Sequence, residues 1–232
     1  MVELTDDLNA YVKDTFSSNW STRKSQSVPE PSNLKSSNDA FIFDRATVLY
    51  ADICGSTAMV NNSTWWDAGA VYKSFLYCAA RLITDNGGTI SAYDGDRIMG
   101  VFVGEVQSTP AVITALKIHS AVKNTIMPAL KTRYPGSDFK LRHVVGIDTS
   151  PIQVAKVGVR GENDLVWIGK AANYAAKLTE LSSDFQTWIT GELFDALLED
   201  GKIGGNPKRP MWTQDVWKEM SGARIYKSNW WW

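Results

Sequence analysis

Two carboxylates, Asp52 and Asp96, lie in short apolar runs that read as strands, TVLYADICGST (residues 47 to 57) and GGTISAYDGDRIMGVF (residues 87 to 102). Mg²⁺ and Mn²⁺ prefer hard oxygen ligands, and two such ions roughly 3.5–4 Å apart activate an attacking oxygen while stabilising a departing one. The pair is therefore read as a two-metal phosphate-transfer site. A lone Asp at a strand end or hairpin more commonly just shapes a turn, and Asp94 is read that way because it occupies the turn itself. What shifts the balance for Asp52 is the Gly55-Ser56-Thr57 sequence behind it. Such a turn, entering a helix, offers backbone N–H groups and two hydroxyls to phosphate oxygens.

The elements that must position these groups follow from periodicity. FIFDRATVLYADI suits a buried strand, and a helix is expected over about residues 64 to 85, with Trp66, Ala70, Phe75, Cys78, Ala79 and Leu82 apolar at helical spacing and Asn86-Gly87-Gly88 as its stop. Two short strands then join at Asp94-Gly95, a type I′ hairpin signal that presents Asp96 near the tip. A second long helix covers roughly 110 to 132, and FKLRHVVGIDTSPIQVAKVGV reads as two strands around Ser150-Pro151. A third helix follows Gly169, then a strand at FQTWIT and a helix at ELFDALLE. Strand, helix, strand, strand, helix, strand is the α+β, ferredoxin-like βαββαβ arrangement. Residues 1 to 40 are expected to form an extension with a short helix and an extended or mobile Ser-, Pro- and Lys-rich stretch, leaving 41 to 232 as the catalytic domain.

Composition narrows the functional classes. With 24 Lys plus Arg against 25 Asp plus Glu, the formal charge of −1 gives no general attraction to nucleic acid or anionic membrane. Cys54 and Cys78 make no disulfide framework or zinc spacing, which fits a reducing cytoplasm. No apolar run is long enough to span a bilayer, and Glu3, Asp6 and Asp7 stand where a signal peptide would be basic and then apolar, so no stable membrane insertion is expected. Four of the ten tryptophans fall in residues 217 to 232, and such a terminal aromatic cluster is expected to pack back on a surface groove or partner. His119 and His143 read as core or surface imidazoles rather than catalysts.

YADICGST, YDGDRIMGVF and GENDLVWIGKAANYAAKL, in that order, resemble the successive motifs of class III nucleotidyl cyclases, over about residues 42 to 200. The resemblance implies a palm that binds two divalent cations, Mg²⁺ or Mn²⁺, through Asp52, Asp96 and the Ile53 carbonyl, and that cyclises a nucleoside triphosphate with loss of pyrophosphate. It also implies a head-to-tail homodimer in which Asn173 orients the ribose and Lys177, where the family has Arg, meets the charge on the phosphate. Their i, i+4 spacing puts both on one helix face, although Lys supplies a compact charge where Arg would give a planar fork. Positions where adenylate cyclases of this class carry base-reading polar residues are Ala92 and Val166 here, so adenine recognition is disfavoured.

Tyr50, on the same strand face as Asp52, suits a smaller ring. Together with Arg97, assigned to the base, the triphosphate or a dimer salt bridge, it makes the pattern similar to the pyrimidine cyclases of bacterial antiphage Pycsar systems. The expected substrate is UTP ahead of CTP, and the expected downstream partner is an effector responsive to the cyclic nucleotide. Among the basic residues beyond position 200, Lys218 is the candidate for the terminal phosphates. A purine cyclase and a catalytically silent nucleotide-binding regulator are the rival readings.

Overall fold

The computed structural model describes residues 2–159 and 161–232. Helix α1 (Val2–Ser17) leads into strand β1 (Ser21–Lys24), followed by the long β2 (Asp39–Cys54), α2 (Ser56–Asn62) and α3 (Trp65–Asp85). A hairpin of β3 (Thr89–Asp94) and β4 (Arg97–Val103) precedes α4 (Ser108–Ala121), which runs through a π-helical turn at Val122–Ile126 into α5 (Met127–Arg133). Strands β5 (Arg142–Val159) and β6 (Glu162–Ile168), helix α6 (Lys170–Leu178), strand β7 (Thr187–Thr190) and helix α7 (Gly191–Asp195) come next. The chain closes with β8 (Ile203–Gly204), β9 (Arg209–Pro210), β10 (Thr213–Trp217) and β11 (Ala223–Ser228).

The main sheet runs β10-β11-β7-β5-β2-β4-β3. Its β5-β2-β4-β3 core, with α3 and the α4–α5 unit as crossovers, is the ferredoxin-like βαββαβ palm expected from the sequence. Alternation along β2 assigns the two faces. Leu49, Ala51 and Ile53 join Phe75 and Ile83 of α3 and Val112 and Leu116 of α4 in the largest core cluster. On the other face Val48 packs with Met99, Val101 and the alanines of α6, and Tyr50 lies partly buried beside them.

Three local expectations need correction. The buried face of α3 is Ala68, Val71, Phe75, Ala79 and Ile83, so Trp66 and Ala70 point outward. Small alanines mark where the helix approaches the sheet; of the expected stripe Phe75 and Ala79 are buried, while Trp66 and Ala70 are out of phase with them. Second, the β3–β4 turn is Gly95-Asp96, because Asp94 pairs with Arg97. Only Gly95 has positive φ, which is the type II′ requirement instead of type I′. Third, residues 142 to 159 form one continuous strand with Pro151 inside it. Its register against β2 shifts between Phe43 and Ala46, so Pro151 faces a bulge where no ladder N–H is needed.

Of the amino-terminal stretch read as extended or mobile, Ser21–Lys24 forms a paired strand and Pro31–Asn33 a 3₁₀ turn. Ser21–Lys24 lies parallel to Asp39–Ile42, and Arg23 bridges to buried Asp39 at 2.5 Å. At the other terminus the tryptophans fold back on α4. His119 Nδ1 lies 3.1 Å from the Trp230 carbonyl oxygen, the Trp232 N–H donates to the Leu116 carbonyl, and Lys123 stands over the Trp231 ring.

Asp148, in the middle of β5, is buried; it accepts from the Thr190 hydroxyl and its Oδ2 has no partner. Burial pushes its carboxyl up to about 6, partly offset by the Thr190 hydrogen bond. Because the folded pKa exceeds the ordinary 3.8, the native state binds more protons between about pH 4 and 6, and stability from this group falls as pH rises through that window. Asp148→Asn removes the titration. Urea unfolding at pH 4 and pH 7 is expected to show the variant gaining up to ~3 kcal/mol on wild type over that interval. A constant gap between the two proteins would contradict this.

Candidate active site

Strand β2 ends at Cys54, and Asp52 is one step beyond its last rung with β4, Ala51 opposite Ile98. The next residue of β4 is Arg97, and it closes on Asp52: Nε and Nη2 both donate to Asp52 Oδ2, at 3.2 and 2.9 Å. Asp96 occupies the neighbouring turn, and its charge raises the proton affinity of Asp52. Burial contributes most to lifting the Asp52 carboxyl above its ordinary value, with Arg97 opposing. Asp96 Oδ2 is buried and lacks a hydrogen-bond partner.

This donor set fits divalent cations of the Mg²⁺ class. Two carboxylates converge at one sheet end, one with a desolvated unpaired oxygen, and a backbone carbonyl at Ile53 follows Asp52 directly. No cluster of three or more His, Cys, Asp or Glu able to hold an ion occurs among the described residues. Magnesium sites at triphosphates commonly use one or two carboxylates and draw the remaining ligands from phosphates and water.

Tyr50, Met99 and Ala92 form a single rung across β2, β4 and β3. Tyr50 and Ala92 are only partly buried and pack on the cluster that holds Met99. Arg97 lies 5.8 Å from the Tyr50 ring centroid, so one guanidinium stands beside both the acid and the aromatic. Burial raises the Tyr50 phenol, with Arg97 opposing, so it remains a hydrogen-bond donor at neutral pH.

Val166 is not brought to that rung. It pairs with Ala155 on β6, while its neighbour Trp167 turns to the Phe43 and Met99 cluster and donates to Ser91 Oγ at 2.6 Å. Strand alternation therefore aims Val166 away from Ala92 within one chain.

Gly55 caps α2 at φ +72°, with Ser56 half-buried and Thr57 exposed at the start of that helix. Helix α6 buries Ala171, Ala172, Ala175 and Leu178, leaving Asn173 and Lys177 exposed together on the opposite side. It can sit directly on the sheet because Gly146 of β5 has no side chain; a Cβ there would meet the Ala175 carbonyl oxygen. No hydrogen bond or ion pair links Asn173 or Lys177 to Asp52 or Asp96 among the described residues.

Lys218 is exposed in the turn between β10 and β11, next to Trp217, whose ring packs edge-on against Tyr174 of α6 at 5.5 Å. Sequence reasoning passed over Arg142, which stands opposite Cys54 and adds a cation at the sheet end that carries Asp52. Only the β2–β5 register reveals it. His143 is fully buried between Phe75 and His119, and burial drives its imidazole down to about 3, so it stays neutral and apart from the carboxylates.

No family model matches the chain. Curated proteins do: a uridylate cyclase from Burkholderia cepacia is 48% identical over 230 residues, covering 99% of this chain and 98% of that protein. One from Xanthomonas perforans is 46% identical with the same coverage. The chain belongs to the uridylate cyclase family. A more distant member, from Rhodovulum sp. (strain MB263), is 32% identical over 242 residues, with 99% and 98% covered. Solved structures place this nucleotidyl cyclase in the class III fold. The adenylyl cyclase CyaB from P. aeruginosa matches with a TM-score of 0.65 over 82% of this chain and 95% of that one, at 20% identity. A bacterial light-regulated adenylyl cyclase gives 0.68 over 82% and 53%, at 16% identity. No helix among the described residues is long and apolar enough to cross a membrane.

Proposed function

We propose that the protein converts UTP to 3′,5′-cyclic UMP and pyrophosphate as a head-to-tail homodimer. The observation that carries the reading is the convergence of Asp52 and the unpaired Asp96 carboxylate at a sheet end whose adjoining rung is Tyr50, Met99 and Ala92. Asp52, Asp96 and the Ile53 carbonyl would hold two divalent cations, which would supply Lewis-acid activation of the ribose 3′-hydroxyl and charge neutralisation at the departing pyrophosphate. The 3′-oxygen attacks the α-phosphorus in line; the new P–O bond closes the ring as the bond to the bridging oxygen of the β-phosphate breaks, and the hydroxyl proton leaves to solvent.

This chain's side chains orient the substrate. Tyr50 stacks on or donates to the pyrimidine, and Ala92 on the same rung withholds a polar partner that an adenine would need. Arg97, which donates to Asp52 in this structure, would contact the base or triphosphate. Gly55, Ser56 and Thr57 present N–H and hydroxyl donors to phosphate. Across the interface, Asn173 of the partner subunit positions the sugar and Lys177 of the partner subunit meets the charge gathering on the α-phosphate, while Lys218 is the candidate for the terminal phosphates. An electrostatic contact of this kind is worth roughly 10²–10³ in rate.

Resemblance to Pycsar cyclases supports a further role: cyclic UMP as a cytoplasmic second messenger of antiphage defence, sensed by a separate effector. Incubating purified protein with each of UTP, CTP, ATP and GTP plus Mn²⁺, and identifying products by mass, is expected to give cyclic UMP as the main product. Cyclic CMP as the main product would reassign the base. A purine product, or binding without pyrophosphate release, would overturn the proposal.

A further inference from the structure

Helix α1 carries Leu4, Leu8, Tyr11, Val12 and Phe16 at 50% to 88% exposure. At 100° per residue these five fall on one stripe, and none belongs to a core cluster. The helix is fastened at its carboxyl end, where Asn38 Nδ2 donates to the Thr15 and Ser18 carbonyls at 2.8 and 2.9 Å. A helix of this length owes most of its stability in water to packing of its apolar face, so the stripe calls for a cover. Glu3, Asp7 and Asp14 line one edge of the stripe, and with Asp6 and Lys13 the helix carries a net charge of −3.

A surface of the opposite kind lies on the outer layer of the same molecule. Two adjoining cavities, about 560 and 200 Å³, form a groove between α3 and the α4–α5 unit. Ala70, Val71, Tyr77, Ile126, Ala129 and Leu130 line it; Arg133 stands in its wall, and the one acid there among the described residues, Asp67, accepts from the Tyr134 and Thr64 hydroxyls. From Ser108 to Arg133 the chain has Lys117, Lys123, Lys131 and Arg133 and no Asp or Glu. Trp65, Trp66 and Tyr77 stay exposed on α3, extending the apolar surface.

We propose that α1 of one copy docks in the α3–α5 groove of a second copy, its stripe against the apolar floor and its acidic edge along Lys131 and Arg133. Reciprocal exchange obeys two-fold symmetry and covers both stripes at once. Charge decides among the occupants: pairing α1 with α1 sets one acidic helix beside another, and an anionic lipid surface repels it.

Hydrogen–deuterium exchange on the full-length protein tests this. Residues 2–17 are expected to exchange at least roughly tenfold more slowly than free peptide at high protein concentration, and to lose that protection on dilution. A chain carrying Tyr77→Asp and Arg133→Glu, both surface changes, should lose α1 protection. Adding a second chain with Leu8→Asp and Val12→Asp, whose groove is intact, should restore it to the first. The proposal is overturned by exchange at free-peptide rates at every concentration, by protection independent of concentration, or by protection that the groove substitutions leave unchanged. It is equally overturned if anionic phosphatidylserine vesicles alone protect the helix.

Discussion

Asp52→Asn is expected to cut cyclic nucleotide formation by at least about 10³-fold while the protein still folds. On the proposed mechanism the substitution keeps side-chain shape but removes the charge that would hold a cation, and Asp96 with one backbone carbonyl is a poor ligand set for a hard divalent ion. The structural cost is small because the lost ion pair with Arg97 is partly solvent-exposed, which limits it to about 1 kcal/mol. Relief of the burial and of the Asp96 repulsion that raise the Asp52 carboxyl offsets part of even that. Product yield by chromatography, read beside thermal unfolding, checks both halves. Activity within tenfold of wild type in a folded variant would remove the carboxylate pair from the mechanism.

Mixing subunits should have the second large effect. Asp52→Ala and Lys177→Ala homodimers are each expected to be inactive, whereas an equimolar exchanged mixture should recover about a quarter of wild-type activity: half of the dimers are mixed, and each has one intact site of two. The expectation rests on α6 leaving Asn173 and Lys177 exposed, with no hydrogen bond or ion pair to their own chain's carboxylates among the described residues. If each site were built within one chain, a verified heterodimer would recover nothing.

How far these arrangements could be read in advance depended on the range of the interaction that sets them. Asp52 and the Asn173/Lys177 face depend on spacing within single elements, and the structure has them on the strand end and helix face where periodicity put them, whereas Asp96, expected just past the hairpin turn, lies inside it. The turn type around Gly95 was misread because Asp-Gly is a strong local signal, while the β3–β4 register is set by cross-strand packing of Met99 and Ile98. Pro151 marked a break only as long as the bulge opposite it, at Asp44 and Arg45 of another strand, stayed invisible. The same holds for Arg142, which becomes a neighbour of the site through pairing with Cys54. The β10–β11 hairpin carried no legible signal at all; its one tryptophan, Trp217, packs edge-on against Tyr174 of α6.

On the proposed reading, the rung of Tyr50, Met99 and Ala92 would constrain how such an enzyme changes its substrate. Ring size would be set by the volume of side chains rooted in adjacent hydrogen-bonded strands, where the backbone does not give way as a loop would. Making room for a larger base then means hollowing a sheet surface that also serves as core, so broadened variants should inherit a lower melting temperature along with their new preference. Selection for a different messenger would have to repack the palm before it could reward the new product.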